Sequence, residues 1–315
     1  MTLLSSETGN GAGIDVNDLQ QRSYKIVRLK HPGQWISGAI VVAFLGFLIK
    51  SFAEGQIDWT TVGEFLTADV ILRGFANTLL ISFLAMILAM GLGTLFAVMR
   101  LSSNPVTRFV AWLYVWVFRG TPVLLQLLIW FNIALVFPTL SIPGLFEART
   151  VDVVTPFVAA LLGLGINEGA YMTEVVRAGI SSVDHGQTEA AHTIGMSRMQ
   201  MLRRIILPQT MRLIIPPMGN SAIGMLKFSS LATVISFTEM LNAAQQVYFV
   251  NGAVIELLLV CAVWYMLGTT VLNIVQFYIE RHYGRGVAGA STKAPFKFKF
   301  GLVRPKTQAP AEEQS

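Results

Sequence analysis

Apolar runs free of charge alternate along the chain with short polar segments, and their lengths predict helices that cross a membrane. Ala76–Met99 and Leu257–Tyr278 contain no charged residue. Each is long enough for a hydrocarbon core of roughly 30 Å at about 1.5 Å of rise per helical residue. Trp35–Ile49 is shorter, and serves if Lys50 and its neighbours reach toward the headgroups. Phe109–Phe137 reads as a fourth span, interrupted once, at Arg119. Two further windows, about 153–178 and 216–245, hold charges in apolar surroundings and bring the count to six. The pattern therefore predicts an all-α, polytopic membrane protein, with five helices in a core and one helix before it.

Six spans put both termini on one side, and the basic residues say which. Arg22, Lys25, Arg28 and Lys30 precede the first span, Arg100 and Arg108 fall in the next segment on that side, and Arg198, Arg203, Arg204 and Arg212 in the third. Arg281, Arg285, Lys293, Lys297, Lys299, Arg304 and Lys306 follow the last. The opposite side holds Lys50, Arg73 and Arg149 beside Glu54, Asp58, Glu64, Asp69, Glu147 and Asp152. Lys and Arg concentrate on the cytoplasmic side of membrane proteins, so both termini are expected there.

Composition agrees: 53% of the residues are hydrophobic and 13% charged, where a soluble domain carries about 25% charged residues. The net charge of +5 follows from the topology and needs no nucleic-acid partner. The single cysteine, Cys261, lies in the last span, which excludes an intramolecular disulfide and a cysteine cluster for metal. The expected organisation is a disordered cytoplasmic tail over 1–34, a first transmembrane helix over 35–53 and an external loop over 54–71. A core follows over 72–281, with a cytoplasmic loop at about 184–215, and then a basic cytoplasmic tail over 282–315. The first tail is rich in Gly, Ser, Asn and Asp and lacks the apolar stretch of a signal peptide. In the last tail, KAPFKFKF suits solvent or an anionic lipid surface.

The cytoplasmic loop TEAAHTIGMSRMQMLRRIILPQT, residues 188–210, interrupts the oil with a hairpin. Gln187–Ile194 is made of good helix formers and stops before Gly195, a C-cap residue. Ser197 begins a second helix with Gln200 at capping-box spacing, and Pro208 is expected to end it by disfavouring helical geometry at Leu207. Ala190 and Ala191 leave a smooth surface beside the single charge of Glu189, while Met199, Leu202 and Ile206 form an apolar stripe away from Arg203 and Arg204. Two readings fit: an amphipathic segment lying on the inner leaflet, and a hairpin that docks in a partner's groove.

Polar groups inside the spans point to a solute path. Arg119-Gly120-Thr121-Pro122 breaks a span: Gly loosens the helix, Thr121 can cap a new one, and Pro122 suits its first turn. A broken helix at membrane depth lines a cavity or is buried in protein, and the new half aims the positive end of its dipole. The alternative is a pair of helices joined by an ordinary loop, with Arg119 at the interface. Glu168, Tyr171 and Glu174, three residues apart, share a helix face with Arg177. Intramembrane carboxylates face a cavity or a partner; they suit an ammonium group, or for Glu174 an internal pair with Arg177. His31, His185, His192 and His282 are scattered, so no catalytic constellation forms, and no metal site is expected.

Glu189-Ala190-Ala191, then Gly195, then Ile205 and Leu207-Pro208, reproduces the signature of the membrane subunits of bacterial ABC importers. FRGTPVLLQLLIWF (118–131), GAYMTEVVRAGISSV (169–183), GQTEAAHTIGMS (186–197), LPQTMRLIIPPMGN (207–220) and LKFSSLATVI (226–235) narrow the likeness. Over about residues 72–281 the chain resembles the permeases for polar amino acids (the histidine, glutamate, glutamine, arginine and opine branch). The resemblance implies that Glu189, Ala190, Ala191, Gly195, Leu207 and Pro208 couple the chain to a cytoplasmic ATPase dimer. It also implies a second permease chain, identical or homologous, an extracytoplasmic binding protein that delivers a polar amino acid, and a multi-pass place in the bacterial inner membrane.

Arg119, Thr121, Pro122, Gln126, Glu168, Tyr171 and Glu174 are assigned to the substrate path, with Lys227, Ser229 and Ser230. Members of that family often carry Asp or Asn where this chain has Phe228, which leaves Lys227 without a local counter-ion. The chain has no G-x-x-x-x-G-K-[ST], so ATP and Mg are expected on the partner, with no cofactor and no ATPase site here. Five spans suffice for the family core; the added first helix brings the N-terminus inside. The acidic loop Glu54–Asp69 suits either a docking surface for the binding protein or a solvated linker. The residues alone leave one other class open, a secondary transporter or channel that couples ions through intramembrane Glu and Lys.

Overall fold

A computed structural model describes residues 32–142 and 146–283. The two tails, with His31, KAPFKFKF and the basic residues assigned to them before 32 and after 283, lie outside the described residues. The chain divides into two compact units, one ending at Ile57 and one beginning at Asp58. In the first, α1 (Pro32–Glu54) is mostly apolar, with the Lys50–Glu54 ion pair near its end, and every side chain from Trp35 to Glu54 is exposed.

The second unit contains α2 (Trp59–Leu66), α3 (Asp69–Arg100), α4 (Pro105–Gly120) and α5 (Val123–Phe131), followed by α6 (Thr150–Val153), α7 (Pro156–Ser181) and α8 (His185–Thr193). It continues with α9 (Arg198–Met201), α10 (Leu207–Phe228), α11 (Met240–Asn251) and α12 (Val254–Tyr283). Between α5 and α6 the chain forms a ribbon that the apolar pattern did not predict: β1 (Thr139–Ile142) pairs antiparallel with β2 (Phe146–Arg149), Thr139 opposite Arg149.

Three helices, α1, α3 and α12, are each long and apolar enough to cross a bilayer. Two bent pairs reach that length together: α4 with α5, bent by 103°, and Arg198–Ile235 with α11, bent by 48°. The 26 residues of α7 would extend about 39 Å, and its polarity comes from Asn167, Glu168, Glu174 and Arg177. Within the acidic segment Glu54–Asp69 the chain forms α2, capped by Asp58, whose carboxylate accepts from Thr60 N at 2.9 Å.

Small residues set the core. Helices gain no hydrophobic driving force from meeting in lipid, so close backbone approach and hydrogen bonds must hold them. The buried face of α3 is mostly small: Gly74, Thr78, Ser82, Ala85, Ala89, Gly93 and Ala97. It lies against α7, where a Cβ placed on Gly93 would fall 2.3 Å from the Cβ of Met172. A Cβ on Gly169 of α7 would meet the Tyr114 hydroxyl at 2.6 Å. That hydroxyl donates to Ile166 O at 2.7 Å, and the Tyr114 ring stacks on Phe96 at 3.9 Å, so α4 is fastened to α7. Ile81, Ala85, Leu127, Leu164, Met225 and Ile235 form a cluster joining α3, α5, α7, α10 and the turn after α10.

The expectation that Pro208 ends the second hairpin helix fails. Leu207 is helical (φ −56°, ψ −45°), and the chain continues from α9 through a π-turn at Leu202–Ile206 into α10. The wider turn accommodates the proline ring and its missing N–H, which would disrupt a regular helix. Within α10, Pro216 and Pro217 are also tolerated; Gln276 of α12 donates to Pro216 O at 3.1 Å and to Glu280 Oε1 at 2.6 Å.

Candidate functional site

The break at 119–122 opens onto a cleft of about 1180 Å³ between α4, α5, α7 and α10. Of the residues assigned to the path, Arg119, Thr121, Pro122, Glu168, Tyr171 and Glu174 line it. Arg119 lies in the last turn of α4, 5.0 Å from the centre of the Tyr171 ring and over its face, so the cation is held by the ring quadrupole. Glu168, at 9% exposure, lies beside Ser221 of α10 in the cleft wall.

Thr121 does not cap the new helix. It ends α4 in extended geometry, its hydroxyl donates back to Val117 O at 2.9 Å, and Pro122 occupies the N-cap position. The prediction failed because a threonine hydroxyl can equally bond a carbonyl of the preceding turn. Gln126 N is the first amide to bond within α5, to Pro122 O at 3.2 Å, which leaves the earlier first-turn N–H groups at the break. Gln126 does not line the cleft. Its Nε2 lies 2.8 Å from Thr121 Oγ1, 2.9 Å from Phe118 O and 3.1 Å from Thr121 O, so it holds the bend from behind.

Glu174 faces the cleft but is already paired. Arg177 meets its carboxylate at 2.7 Å, and Arg100 approaches the other oxygen to 3.4 Å without hydrogen-bond geometry. The internal pair therefore describes Glu174 better than a free ligand does. Lys227, Ser229 and Ser230 stand apart from the cleft: Ser229 Oγ donates to Leu226 O at 2.8 Å and Ser230 Oγ to Lys227 O at 2.7 Å. A hydroxyl at a helix end finds the nearest carbonyl, and α10 ends there. Lys227 is exposed and forms no ion pair among the described residues.

The hairpin at 184–215 is built much as its sequence suggests. Asp184 caps α8, and Gly195 adopts φ +75° in a Schellman turn, with Gly195 N bonded to His192 O and Met196 N to Ala191 O, both at 3.0 Å. The Ser197–Gln200 capping box is reciprocal, at 2.9 and 3.3 Å. Gln209 of α10 donates to Gln187 Oε1 of α8 at 2.5 Å and ties the arms together.

Ala190 and Glu189 face outward, but Ala191 is buried and packs inward, so the smooth surface is one alanine and not two. Leu207 and Pro208 are exposed. The stripe is not buried either: Met199 is 55% and Leu202 43% exposed, and Ile194 reaches 76%. The inward side chain is Met201, the last residue of α9, at 8% exposure. An apolar face left outside its own chain marks a contact with another molecule.

Reading the sequence missed Asn167, Asn220 and Ser221 in the cleft wall. Asn167 was legible as the neighbour of Glu168, and its Nδ2 donates to Phe118 O at 2.8 Å. It also missed Glu239, fully buried, which caps α11 by accepting from Leu241 N at 2.9 Å and Asn242 N at 2.7 Å and takes the Tyr265 hydroxyl at 2.9 Å. An acidic residue just before a helix-period run was the available signal. Among the described residues no group of His, Cys, Asp and Glu could hold a metal.

A family model described as "Binding-protein-dependent transport system inner membrane component" matches residues 89–285. The arginine transport system permease protein ArgU of Corynebacterium glutamicum is 38% identical over 284 residues, 89% of this chain and 89% of its own. The glutamine transport system permease protein GlnP of Escherichia coli is 31% identical over 226 residues, 72% of this chain and 97% of its own. Among solved structures, an amino acid ABC transporter crystallised with histidines aligns with a TM-score of 0.62 at 32% identity, over 72% of this chain and all of the other.

Proposed function

Since the chain belongs to the family of binding-protein-dependent transport system inner membrane components, the membrane-spanning permeases of ABC importers, we propose that its cargo is a polar amino acid. The observation that carries this reading is the pairing of opposite chemistry in one cleft. Arg119 and the free first-turn amides of α5 suit a carboxylate, and the Glu168 carboxylate suits an ammonium group. A zwitterion satisfies both ends without burying net charge. The names of the relatives, which transport arginine and glutamine, support the same class.

The cycle follows from the hairpin. An ATPase dimer, with ATP and Mg on its own chains, takes the outward face of α8 and α9 in a surface groove, with Ala190 allowing close approach. Closure of the ATPases draws two such hairpins together, one from this chain and one from a second permease, and tips the cleft between outward and inward openings. An extracytoplasmic binding protein delivers the amino acid. Six spans in a bacterial inner membrane, both termini in the cytoplasm and the chain without an ATPase site, complete the proposal; the distribution of Arg and Lys supports the orientation. The test of cargo is uptake by a strain lacking the gene against a panel of labelled amino acids. Loss confined to polar amino acids supports the reading, and unchanged uptake of all of them refutes it.

A further inference from the structure

Where α3 stops and α4 starts, a second recess of about 410 Å³ gathers arginines from three helices. Arg100 is the last residue of α3, Arg108 lies in the first turn of α4, and Arg177 in the last part of α7. Glu174 pairs with Arg177 and Arg100, at 2.7 and 3.4 Å, while Arg108 is exposed and has no ion pair among the described residues. Three guanidinium groups against one carboxylate leave the recess with an excess of positive charge.

The rest of its wall includes Phe109 and Trp112. These rings continue into Trp116, 62% exposed, in a stacked row along the outside of α4 with centroids 5.8 and 5.9 Å apart. Exposed aromatic rings beside arginines at a helix end are the chemistry of a membrane–water boundary: rings at headgroup depth, cations on the phosphates. A guanidinium fork matches phosphate oxygens in a way that an ammonium does not.

We propose that Arg100, Arg108 and Arg177 form a binding site for the phosphate headgroup of an anionic phospholipid, whose acyl chains run along the Phe109–Trp112–Trp116 row. The proposal rests on the orientation argued above, which sets this end of the bundle in the inner leaflet. Arg108 carries the test, because Arg100 and Arg177 also neutralise Glu174 in the cleft.

The transporter complex, purified with its ATPase, is titrated with spin-labelled phosphatidylglycerol and, separately, spin-labelled phosphatidylcholine, and the immobilised fraction is read by electron paramagnetic resonance. The wild type is expected to prefer phosphatidylglycerol. Arg108→Gln lowers that affinity about fivefold, the worth of one surface charge, and Arg108→Lys retains most of it. Phosphatidylcholine binding stays the same in all three. Equal phosphatidylglycerol binding by wild type and Arg108→Gln overturns the proposal. Complete release of the labelled lipid by millimolar inorganic phosphate also overturns it and assigns the recess to a soluble anion. A reporter fused after Ser315 checks the orientation separately: activity only outside the cell refutes that premise, whatever the lipid result.

Discussion

Replacing Gln126 with methionine keeps the length of the side chain and deletes its amide, at a position only 4% exposed. Three acceptors lie within 3.1 Å of Nε2, but an amide nitrogen has two hydrogens, so two full bonds are the most that it makes. At about 0.5–1.5 kcal/mol net each, the substitution costs about 1–3 kcal/mol. Two details narrow the range. Phe118 O keeps a second donor in Asn167 Nδ2 at 2.8 Å, and Gln126 Oε1 is itself buried without a partner, an unsatisfied acceptor that methionine removes. About 1–2 kcal/mol remains, a factor of about 5–30 against the 103° bend. Spin labels at Val117→Cys and Ile129→Cys read the bend as a distance, and uptake in proteoliposomes reads its use. Gln126→Met is expected to add a second distance population and to lower uptake about fivefold or more. One unchanged distance with wild-type uptake would refute the idea that this amide holds the break.

Glu168→Gln is expected to reduce uptake at least tenfold while the ATPase still copurifies, since removing one partner of a desolvated charge contact costs about 2–5 kcal/mol; wild-type kinetics would remove Glu168 from the path. Gly195→Val meets open space but must hold φ +75°, which costs an L-residue about 1–2 kcal/mol, so the chain should insert normally and retain about fivefold less ATPase or worse on copurification. Asp58 gives a pH dependence: the Thr60 and Thr61 hydroxyls hold its carboxyl down at about 2, from 3.8. Its contribution as the cap of α2 is complete above the unfolded value and is lost as pH falls through about 2. Hydrogen exchange at the Thr60 amide should therefore show constant protection from neutral pH to about pH 4 and loss near 2; loss already at pH 5 would contradict it.

Three of the apolar windows became single long apolar helices and two became bent helical pairs, because lipid leaves a backbone few other ways to satisfy its polar groups; the window at 153–178 became α7, whose polar residues keep it outside that set. The break at Arg119–Pro122 and the Gly195 turn were legible because glycine and proline act through the backbone alone. Side-chain hydrogen bonds were harder to read. Thr121 bonds backward to Val117, Ser229 and Ser230 bond to carbonyls ending α10, and Glu174 is met by Arg100 from another helix. The hydroxyls chose a carbonyl three or four residues back over a cap or a cavity, which residue type alone does not decide, and the Arg100 contact depends on packing that spacing along one helix cannot supply. Pro208 failed for another reason: a π-turn inserted between α9 and α10 carries the helix past the proline, and no residue type announces it.

Reconstitution tests the central claim most directly. This chain, its partner permease, the ATPase and the binding protein are placed in proteoliposomes with a labelled polar amino acid, and uptake is followed with ATP alone and with a proton or sodium gradient alone. Accumulation is expected with ATP, with none under either gradient and none with ATP when the binding protein is omitted. Accumulation driven by an ion gradient without ATP would contradict that claim.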